Sequence, residues 1–162
     1  MANGRAVVRP GTEDPAVSVC FVVKLDSIKL GAFSSCEGLG CEVVIEQREE
    51  GGNNGFVWQL PTRIKYPNIK LSRPLTKDTE AVAKWFAKAV QGSGARTEEG
   101  KKSTETGLIQ AMTGDGIVVA SWGLLDVVPV RWTGPSLNFE SPKVATETIE
   151  IAHHGFIVDV NV

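Results

Sequence analysis

The amino-acid sequence predicts a mainly β fold, an antiparallel β-sandwich or barrel with one packed α-helix. Short segments alternate apolar and polar residues with period two, turn-forming residues separate them, and only one segment has helical apolar spacing. Of the 162 residues, 42% are apolar and 22% are charged, which is typical of one globular domain rather than a disordered chain. We therefore expect a flexible N-terminal arm over residues 1–15 and a single domain over residues 16–162.

The first three predicted strands precede a glycine-rich turn. A strand at 16–25 has a fully apolar face formed by Val17, Val19, Phe21, Val23 and Leu25. A turn at 26–27 leads into a second strand at 28–33. A break at 38–40 then precedes a third strand at 41–50.

The far half of the third strand, residues 46–50, has no core residue, so we expect it to project beyond the domain body. Its tip at 51–55 contains three glycines and two asparagines, which favour an adaptable turn. A partner strand is predicted to return at 56–60. Pro61 and Pro67 are then expected to bound a loop, and another strand is predicted at 68–72.

One segment is predicted to be helical. Thr76 is expected to cap it, and Asp78 and Glu80 lie in the first turn, where the helix dipole favours negative charge. Gly92 and Gly94 are expected to end it. Helical spacing predicts one apolar stripe that packs on the sheet, formed by Val82, Trp85, Phe86, Ala89 and Val90.

Strand signals resume after a charged, Gly- and Ser-rich loop at 91–106. They predict strands at 107–112, 117–125 and 127–132, with turns at 113–116 and 133–135. A last strand is predicted from Val144 to about Val158.

Charge is divided unevenly along the chain, although the formal net charge is only −2. Residues 61–103 contain ten basic and four acidic side chains, whereas residues 104–162 contain two basic and seven acidic ones. The low net charge excludes a chain-wide basic surface for nucleic acid. Two interpretations stay open for the uneven distribution: ordinary solvated faces, or oppositely charged faces that suit head-to-tail self-association.

Signatures of catalysis and cofactor binding are missing. The glycine clusters lack the setting of a phosphate-binding loop, and there is no Gly-x-Ser-x-Gly elbow. The candidate metal ligands are Cys36, Cys41, His153 and His154, but adjacent histidines on a strand point to opposite faces. We therefore predict no catalytic residues, no metal site and no cofactor.

Other reactive or aromatic residues are expected to be structural. Glu147 and Glu150 lie on opposite faces of the last strand, a poor geometry for an acid–base pair. Packing in the core or at an interface, rather than an aromatic ligand site, is expected for Trp58, Trp85, Trp122 and Trp132. The odd number of cysteines (Cys20, Cys36 and Cys41), without a visible secretory signal or an apolar run long enough to span a membrane, favours reduced thiols and cytoplasmic synthesis.

Several motifs in a fixed order carry a resemblance to a known family. They are Phe-Ser-x-x-x-Gly-Leu at 33–39, the charged arm with a double glycine at 46–53, Leu-Pro at 60–61, Tyr-Pro-Asn-Ile-Lys-Leu at 66–71, Arg-Pro-Leu-Thr at 73–76, Trp-Gly-Leu at 122–124, Pro-Val-Arg-Trp at 129–132 with Gly-Pro at 134–135, and Glu-Thr-Ile-Glu-Ile-Ala-His-His-Gly at 147–155. Over about residues 16–158 the chain resembles the inner tube proteins of contractile phage tails and phage-tail-like contractile injection systems. Pro74, His154 and Val127-Val128 depart from the family's usual residues and leave the subtype open.

The resemblance implies a structural protein. Such proteins form hexameric rings whose sheets join into one β-barrel around a lumen, and the rings stack head to tail into a rigid tube. Implied partners are the contractile sheath, baseplate and cap proteins, and cargo or DNA in the lumen. The implied location is a phage tail or injection-system particle made in a bacterial cytoplasm.

The resemblance implies that the arm contacts the next ring, and charge agrees with this, because the arm is acidic while residues 61–103 are basic. The alternative is a solvated hairpin without a partner. The predicted inter-ring contacts are Glu46, Arg48, Glu49, Glu50, Gly51, Gly52, Asn53 and Asn54. Alternatives left open by the sequence are a phage virion tube that conducts DNA, a tube-initiating or tube-capping paralogue, a monomeric ligand-binding β-barrel, and an enzyme that uses Cys36 or His153.

Overall fold

The computed structural model describes residues 19–52, 55–92, 105–135 and 144–157. The predicted N-terminal arm at 1–15 lies outside these residues. Within the described ranges the chain forms ten strands and one helix: β1 Val19–Leu25, β2 Lys29–Phe33, β3 Ser35–Glu37, β4 Glu42–Arg48, β5 Trp58–Lys65, β6 Ile69–Pro74, α1 Thr79–Gly92, β7 Glu105–Thr113, β8 Val118–Thr133, β9 Thr146–Ala152 and β10 Phe156–Ile157.

Eight strands form one large antiparallel sheet, which confirms the predicted mainly β class. Seven of them follow the order β2-β1-β7-β8-β9-β6-β3, and β10 pairs with β8 beside this path. Strands β4 and β5 form a separate two-stranded sheet. Most of these strands were expected from the sequence. In β6 and β9, for example, every second side chain is buried against the core and the residues between them are more exposed.

The two segments predicted at 117–125 and 127–132 are one continuous strand, β8. Its first part pairs with β7 and its second part with β9, so β8 belongs to both halves of the large sheet. Between the parts, Asp126 has a φ of 51°, a left-handed conformation that is uncommon outside glycine. The polar residue at this position therefore marks a bend within a strand rather than the end of one.

The two halves of the sheet enclose a single core. A backbone bond from Ser34 to Ser72 leads the chain from β2 in one half to β3 in the other. Strand β3 was not predicted, because three residues are too short to show alternation. The buried core residues are Val23, Leu25, Leu30, Phe33, Ile69, Leu71, Val82, Trp85, Ile109, Leu124, Val127, Ile149 and Ile151.

Helix α1 contributes Val82 and Trp85 to this core, and Phe86 packs against its margin. Val90 departs from the predicted stripe, because its side chain is 77% exposed at the last turn, where the helix no longer covers the sheet. Thr76 was predicted as the cap, but the helix begins at Thr79. The carbonyl oxygen of Asp78 accepts the first helical bonds, which places Asp78 at the capping position.

Two other boundaries differ from the sequence-based expectation. Pro61 was expected to bound a loop, but it lies inside β5, opposite Ile45 at a bulge where no regular ladder bond is required. The predicted last strand is divided into β9 and β10 by a turn at 153–155. Gly155 has a φ of 144° in this turn, which an alternation pattern does not reveal.

Candidate functional site: the two-stranded arm

The most distinctive surface of the molecule is the two-stranded sheet formed by β4 and β5. From here on, the arm means residues 42–65, which include the charged segment 46–53 and exclude the N-terminal residues 1–15. The two strands pair antiparallel from Glu42 with Lys65 to Arg48 with Trp58. Within the described residues, these strands contact mainly each other. Nearly every arm residue is exposed, as expected for a segment that projects from the body.

One face of the arm is uncharged. Register pairs place Val43 beside Ile64, Ile45 beside Pro61, and Gln47 beside Gln59. The Gln47 Nε2 and Gln59 Oε1 atoms lie 3.4 Å apart, which confirms that these residues share a face. Val43, Ile45 and Ile64 are 46%, 44% and 53% exposed. A two-stranded sheet of this kind is marginally stable by itself, so an apolar face left this open indicates a further contact.

The opposite face is charged. Its residues, in four register pairs, are Glu42 with Lys65, Val44 with Arg63, Glu46 with Leu60, and Arg48 with Trp58. Charged side chains at five of these eight positions would lose hydration if this face were covered by an apolar surface. The two faces of the arm are therefore suited to different environments.

The far end of the arm holds an ordered aromatic pair. The indole Nε1 of Trp58 donates to Glu50 Oε2 at 3.1 Å, and the Phe56 and Trp58 rings meet edge to face with centroids 5.1 Å apart. Gly51 and Gly52 form the turn beside them. Asn53 and Asn54, two of the predicted inter-ring residues, lie outside the described residues, and the other six are all exposed.

The base of the arm is fixed to the body by close packing. Gly38 has a φ of 89°, and a Cβ atom there would lie 2.3 Å from the carbonyl oxygen of Asn68, so only glycine fits. On the returning strand, the Tyr66 ring lies 5.3 Å from the His153 ring and 5.8 Å from the Phe156 ring, measured between centroids. These contacts set the direction in which the arm leaves the domain.

His153, a candidate ligand in the sequence, is part of this packing. Its Nδ1 donates to the carbonyl oxygen of Gly155 at 3.2 Å, and its Nε2 is buried without a hydrogen-bond partner among the described residues. His154 points elsewhere, with Nδ1 3.2 Å from Asp126 Oδ2. The described residues contain no group of His, Cys, Asp or Glu that could hold a metal ion.

The cysteines occupy three different environments. Cys36 packs against the core margin, Cys20 is half-buried and Cys41 is exposed, and none of them is in a disulfide. Burial, and to a lesser degree the neighbouring Glu37 carboxylate, raise the pKa of the Cys36 thiol to about 11. A thiol with such a pKa is protonated at neutral pH and is a poor nucleophile.

A buried ionic cluster is the main feature that our sequence reasoning missed. Arg73 Nε donates to Glu147 Oε1 at 2.6 Å, and both side chains are almost fully buried. Glu147 also accepts from Thr79 Oγ1 at 3.0 Å and from the Trp132 indole at 3.1 Å. One carboxylate thereby joins β6, β8, β9 and α1. The sequence does contain a signal for this cluster. Arg73 shares its strand face with Leu71, and a charged residue on an apolar face requires a buried partner of opposite charge.

Glu150 is unrelated to that cluster. It lies on the opposite face of β9, as predicted, and its carboxylate accepts from Asn68 Nδ2 at 2.8 Å. Its register neighbours are Arg131 on β8 and Lys70 on β6, and Lys70 in turn faces Glu37 on β3. The outer face of this half of the sheet thus alternates positive and negative charge across four strands, a favourable and solvated arrangement.

The tryptophans divide between core and surface. Trp85 is buried and its indole donates to Glu105 Oε2 at 3.0 Å, and Trp122 packs against the core. Trp132 and Trp58 keep part of their surface exposed.

No helix within the described residues has the length and apolarity needed to cross a membrane.

The chain matches the family model described as T4-like virus tail tube protein gp19 over residues 17–157. No curated protein matches it. A chain in the cryo-EM structure of the anti-feeding prophage (AFP) baseplate is similar with a TM-score of 0.66 and 20% identity, covering 88% of this chain and 94% of that one.

Two further solved structures are similar at the same level. A chain in the extended sheath–tube complex of PVC, an extracellular contractile injection system, has a TM-score of 0.67 and 19% identity, with 90% of this chain and 92% of that one covered. A chain in the AFP tube-terminating cap structure has a TM-score of 0.65 and 21% identity, with 91% and 93% covered. At this identity the likeness establishes a common fold.

Proposed function

Because the chain belongs to the T4-like virus tail tube protein gp19 family, we propose that it is the structural subunit of the inner tube of a contractile injection system. In this proposal six copies close into a ring whose sheets join into one β-barrel around a lumen. Rings then stack head to tail into a rigid tube, and contraction of a surrounding sheath drives the tube through a target envelope.

The observation that carries this proposal is the arm, a two-stranded sheet with an apolar face that its own chain leaves open. In the tube, the uncharged face around Val43, Ile45 and Ile64 packs on a neighbouring copy. The charged side chains of the opposite face near the body, Glu42, Arg63 and Lys65, stay in water, whereas Glu46 and Arg48 at the far end belong to the contact with the next ring. This division removes apolar surface from water without burying unpaired charge.

The acidic end of the arm makes the contact with the next ring. The contact residues in this proposal are Glu46, Arg48, Glu49, Glu50, Gly51, Gly52, Asn53 and Asn54. The turn glycines adapt to the surface they meet. Such a contact joins two different surfaces of the same chain and therefore repeats into a filament.

The partners of the tube are the contractile sheath, a baseplate, a cap, and cargo or DNA in the lumen. The similar AFP and PVC structures are described as a baseplate, a sheath–tube complex and a tube-terminating cap, which supports these partner classes. The particle assembles from chains made in a bacterial cytoplasm. In this proposal the subunit has a structural role and no catalytic one, which the match to a tail tube family supports.

Electron microscopy of the purified chain, with size-exclusion chromatography, tests this function directly. Rings or tubes of constant width are the expected result. A monomer at all concentrations that encloses a ligand would instead identify a ligand-binding barrel. Loss of a chemical activity on Cys36→Ala or His153→Ala substitution would identify an enzyme.

Complementation separates the three tube roles. If deletion of the gene abolishes all tubes, the chain is the main tube subunit. A strain that starts no tubes, or produces tubes of uncontrolled length, would place it at the baseplate or at the cap. DNA recovered from the lumen of native particles would identify a phage tail tube.

A further inference from the structure

Two lysines on the β1–β2 hairpin face each other, and no described residue provides either of them with an acidic partner. Reciprocal backbone bonds between Leu25 and Ile28 close the turn, and the next register pair is Lys24 with Lys29. Directly opposed residues have Cβ atoms about 4.5–5.5 Å apart, a distance at which like charges destabilise the pair. Both lysines are exposed, and we call them the lysine pair.

The acidic groups near this hairpin are already engaged. Asp26 Oδ2 accepts the backbone N–H of Thr106 at 2.7 Å. Glu105 accepts from the Ser27 hydroxyl, the Trp85 indole and the Lys88 ammonium group. Within the described residues, neither lysine of the pair forms an ion pair, and the one side-chain contact is Lys24 Nζ with Gln110 Oε1 at 3.5 Å. An external anionic group would therefore remove an existing repulsion.

The end of the arm supplies such groups. Glu46 faces Leu60 across the arm, and neither Glu46 nor Glu49 forms an ion pair with a described residue. Glu50 differs, because its carboxylate holds the Trp58 indole. Two acidic side chains at one end of the arm are thus available for another molecule.

Within the described part of the basic segment 61–103, which the sequence favoured as the acceptor, three side chains form ion pairs inside the chain. Arg73 is buried with Glu147, Lys84 pairs with Glu80 at 2.7 Å, and Lys88 pairs with Glu105 at 3.3 Å. Lys65 lies opposite Glu42, and Lys70 lies between Glu150 and Glu37. Arg63 and Lys77 are exposed without an ion pair among the described residues, but each is a single charge, whereas the lysine pair offers two opposed charges. We therefore favour the lysine pair as the acceptor, although it lies outside that segment.

We propose that Glu46 and Glu49 of one copy dock on Lys24 and Lys29 of a second copy. This proposal rests on the proposed tube function and names the surface that receives the arm. The charges are complementary, and the contact joins two different surfaces, so it repeats from copy to copy. Each exposed ion pair contributes little by itself and is screened by salt, so the contact acts by repetition and by fixing register.

The lysine pair allows a test whose two readouts move in opposite directions. Lys29→Glu replaces an intrachain repulsion with an attraction to Lys24, so we expect the monomer to unfold at an equal or higher denaturant concentration. The same substitution places a negative charge where the acidic end of a second copy's arm would dock. We therefore expect the fraction of protein that pellets as tubes in a sedimentation assay to fall severalfold. Lys77→Glu, another exposed lysine without an ion pair among the described residues, is the matched control and should leave assembly unchanged.

Charge exchange completes the test. Lys24→Glu with Lys29→Glu, and separately Glu46→Lys with Glu49→Lys, should each shorten the tubes, and the four substitutions together should restore them. Failure of the combined variant to restore tubes, with all variants folded, would overturn the proposal. Wild-type lengths in either double variant would also overturn it and leave the tube function intact. Absence of tubes from the unaltered chain would contradict the tube function itself.

Discussion

Arg73 Nε and Glu147 Oε1 lie 2.6 Å apart in the interior, where the two side chains are 1% and 0% exposed. Arg73 also donates through Nη1 to the carbonyl oxygen of Leu30, and its guanidinium lies 4.6 Å from the centre of the Phe33 ring. The pair therefore connects β2 in one half of the sheet to β6 and β9 in the other. Its geometry holds the two halves in one relative orientation.

We predict that breaking this pair is more harmful than replacing it. Glu147→Ala leaves the Arg73 charge buried without its partner and should lower the free energy of unfolding by about 3–5 kcal/mol. Arg73→Met combined with Glu147→Leu removes both charges and should cost clearly less. Denaturant unfolding of the three proteins measures this. Equal losses for the single and double variants would contradict this prediction, because they would show that the unpaired Arg73 charge adds no cost of its own.

Trp85 is predicted to be the anchor of helix α1. Its side chain is 2% exposed, so Trp85→Ala creates a cavity and also leaves Glu105 without the indole donor, at a cost of about 3–5 kcal/mol. Val90→Ala on the same helix is the control, and its effect should stay within about 0.5 kcal/mol because Val90 is exposed. A normally stable Trp85→Ala protein would mean that the helix is peripheral.

The uncharged face of the arm is predicted to matter for assembly and not for folding. Val43→Ser with Ile64→Ser removes two half-exposed side chains, each worth about 1 kcal/mol when its remaining surface is covered. The critical concentration for assembly, measured by sedimentation, should rise more than tenfold, while the unfolding midpoint of the monomer changes little.

Val44→Ser, on the same strand but on the charged face, is the control for that experiment. It should have the smaller effect on assembly. An equal effect of the two changes would contradict the assignment of faces, and unchanged assembly in the Val43 and Ile64 variant would show that this face remains in water.

The cysteines are predicted to be structural and unequal in reactivity. Iodoacetamide at neutral pH should modify exposed Cys41 well before Cys36, whose pKa is raised to about 11. Between the ordinary thiol pKa of about 8.5 and about 11 the unfolded state binds fewer protons at Cys36, so stability falls as pH rises through this window. Denaturant unfolding at several pH values should show a smaller decrease in stability for Cys36→Ala than for the unaltered protein.

Chelators and reductants should leave assembly intact, and tubes that dissociate in chelator would contradict a purely structural role.

Local patterns in the sequence determined much of this protein. Alternation with period two predicted β1, because a strand with one face on the core must place apolar residues at every second position. Strands were also predicted at 68–72, where β6 lies, and from Val144 to about Val158, where β9 and β10 lie. Helical spacing similarly predicted the core contacts of Val82 and Trp85. The loss of apolar residues after Ile45, followed by glycines, predicted that the arm leaves the body.

The tertiary structure alone decided which surfaces of these elements meet. The pairing of Arg73 with Glu147 joins residues 74 positions apart, and no local period encodes their approach. The continuity of β8 through Asp126 and the place of Pro61 within β5 depend on partner strands that accommodate a bend and a bulge. The lysine pair depends on register, because a shift of one residue would move Lys24 away from Lys29. Sequence periodicity reports which face of an element is buried, whereas the partner across that face is chosen by long-range packing.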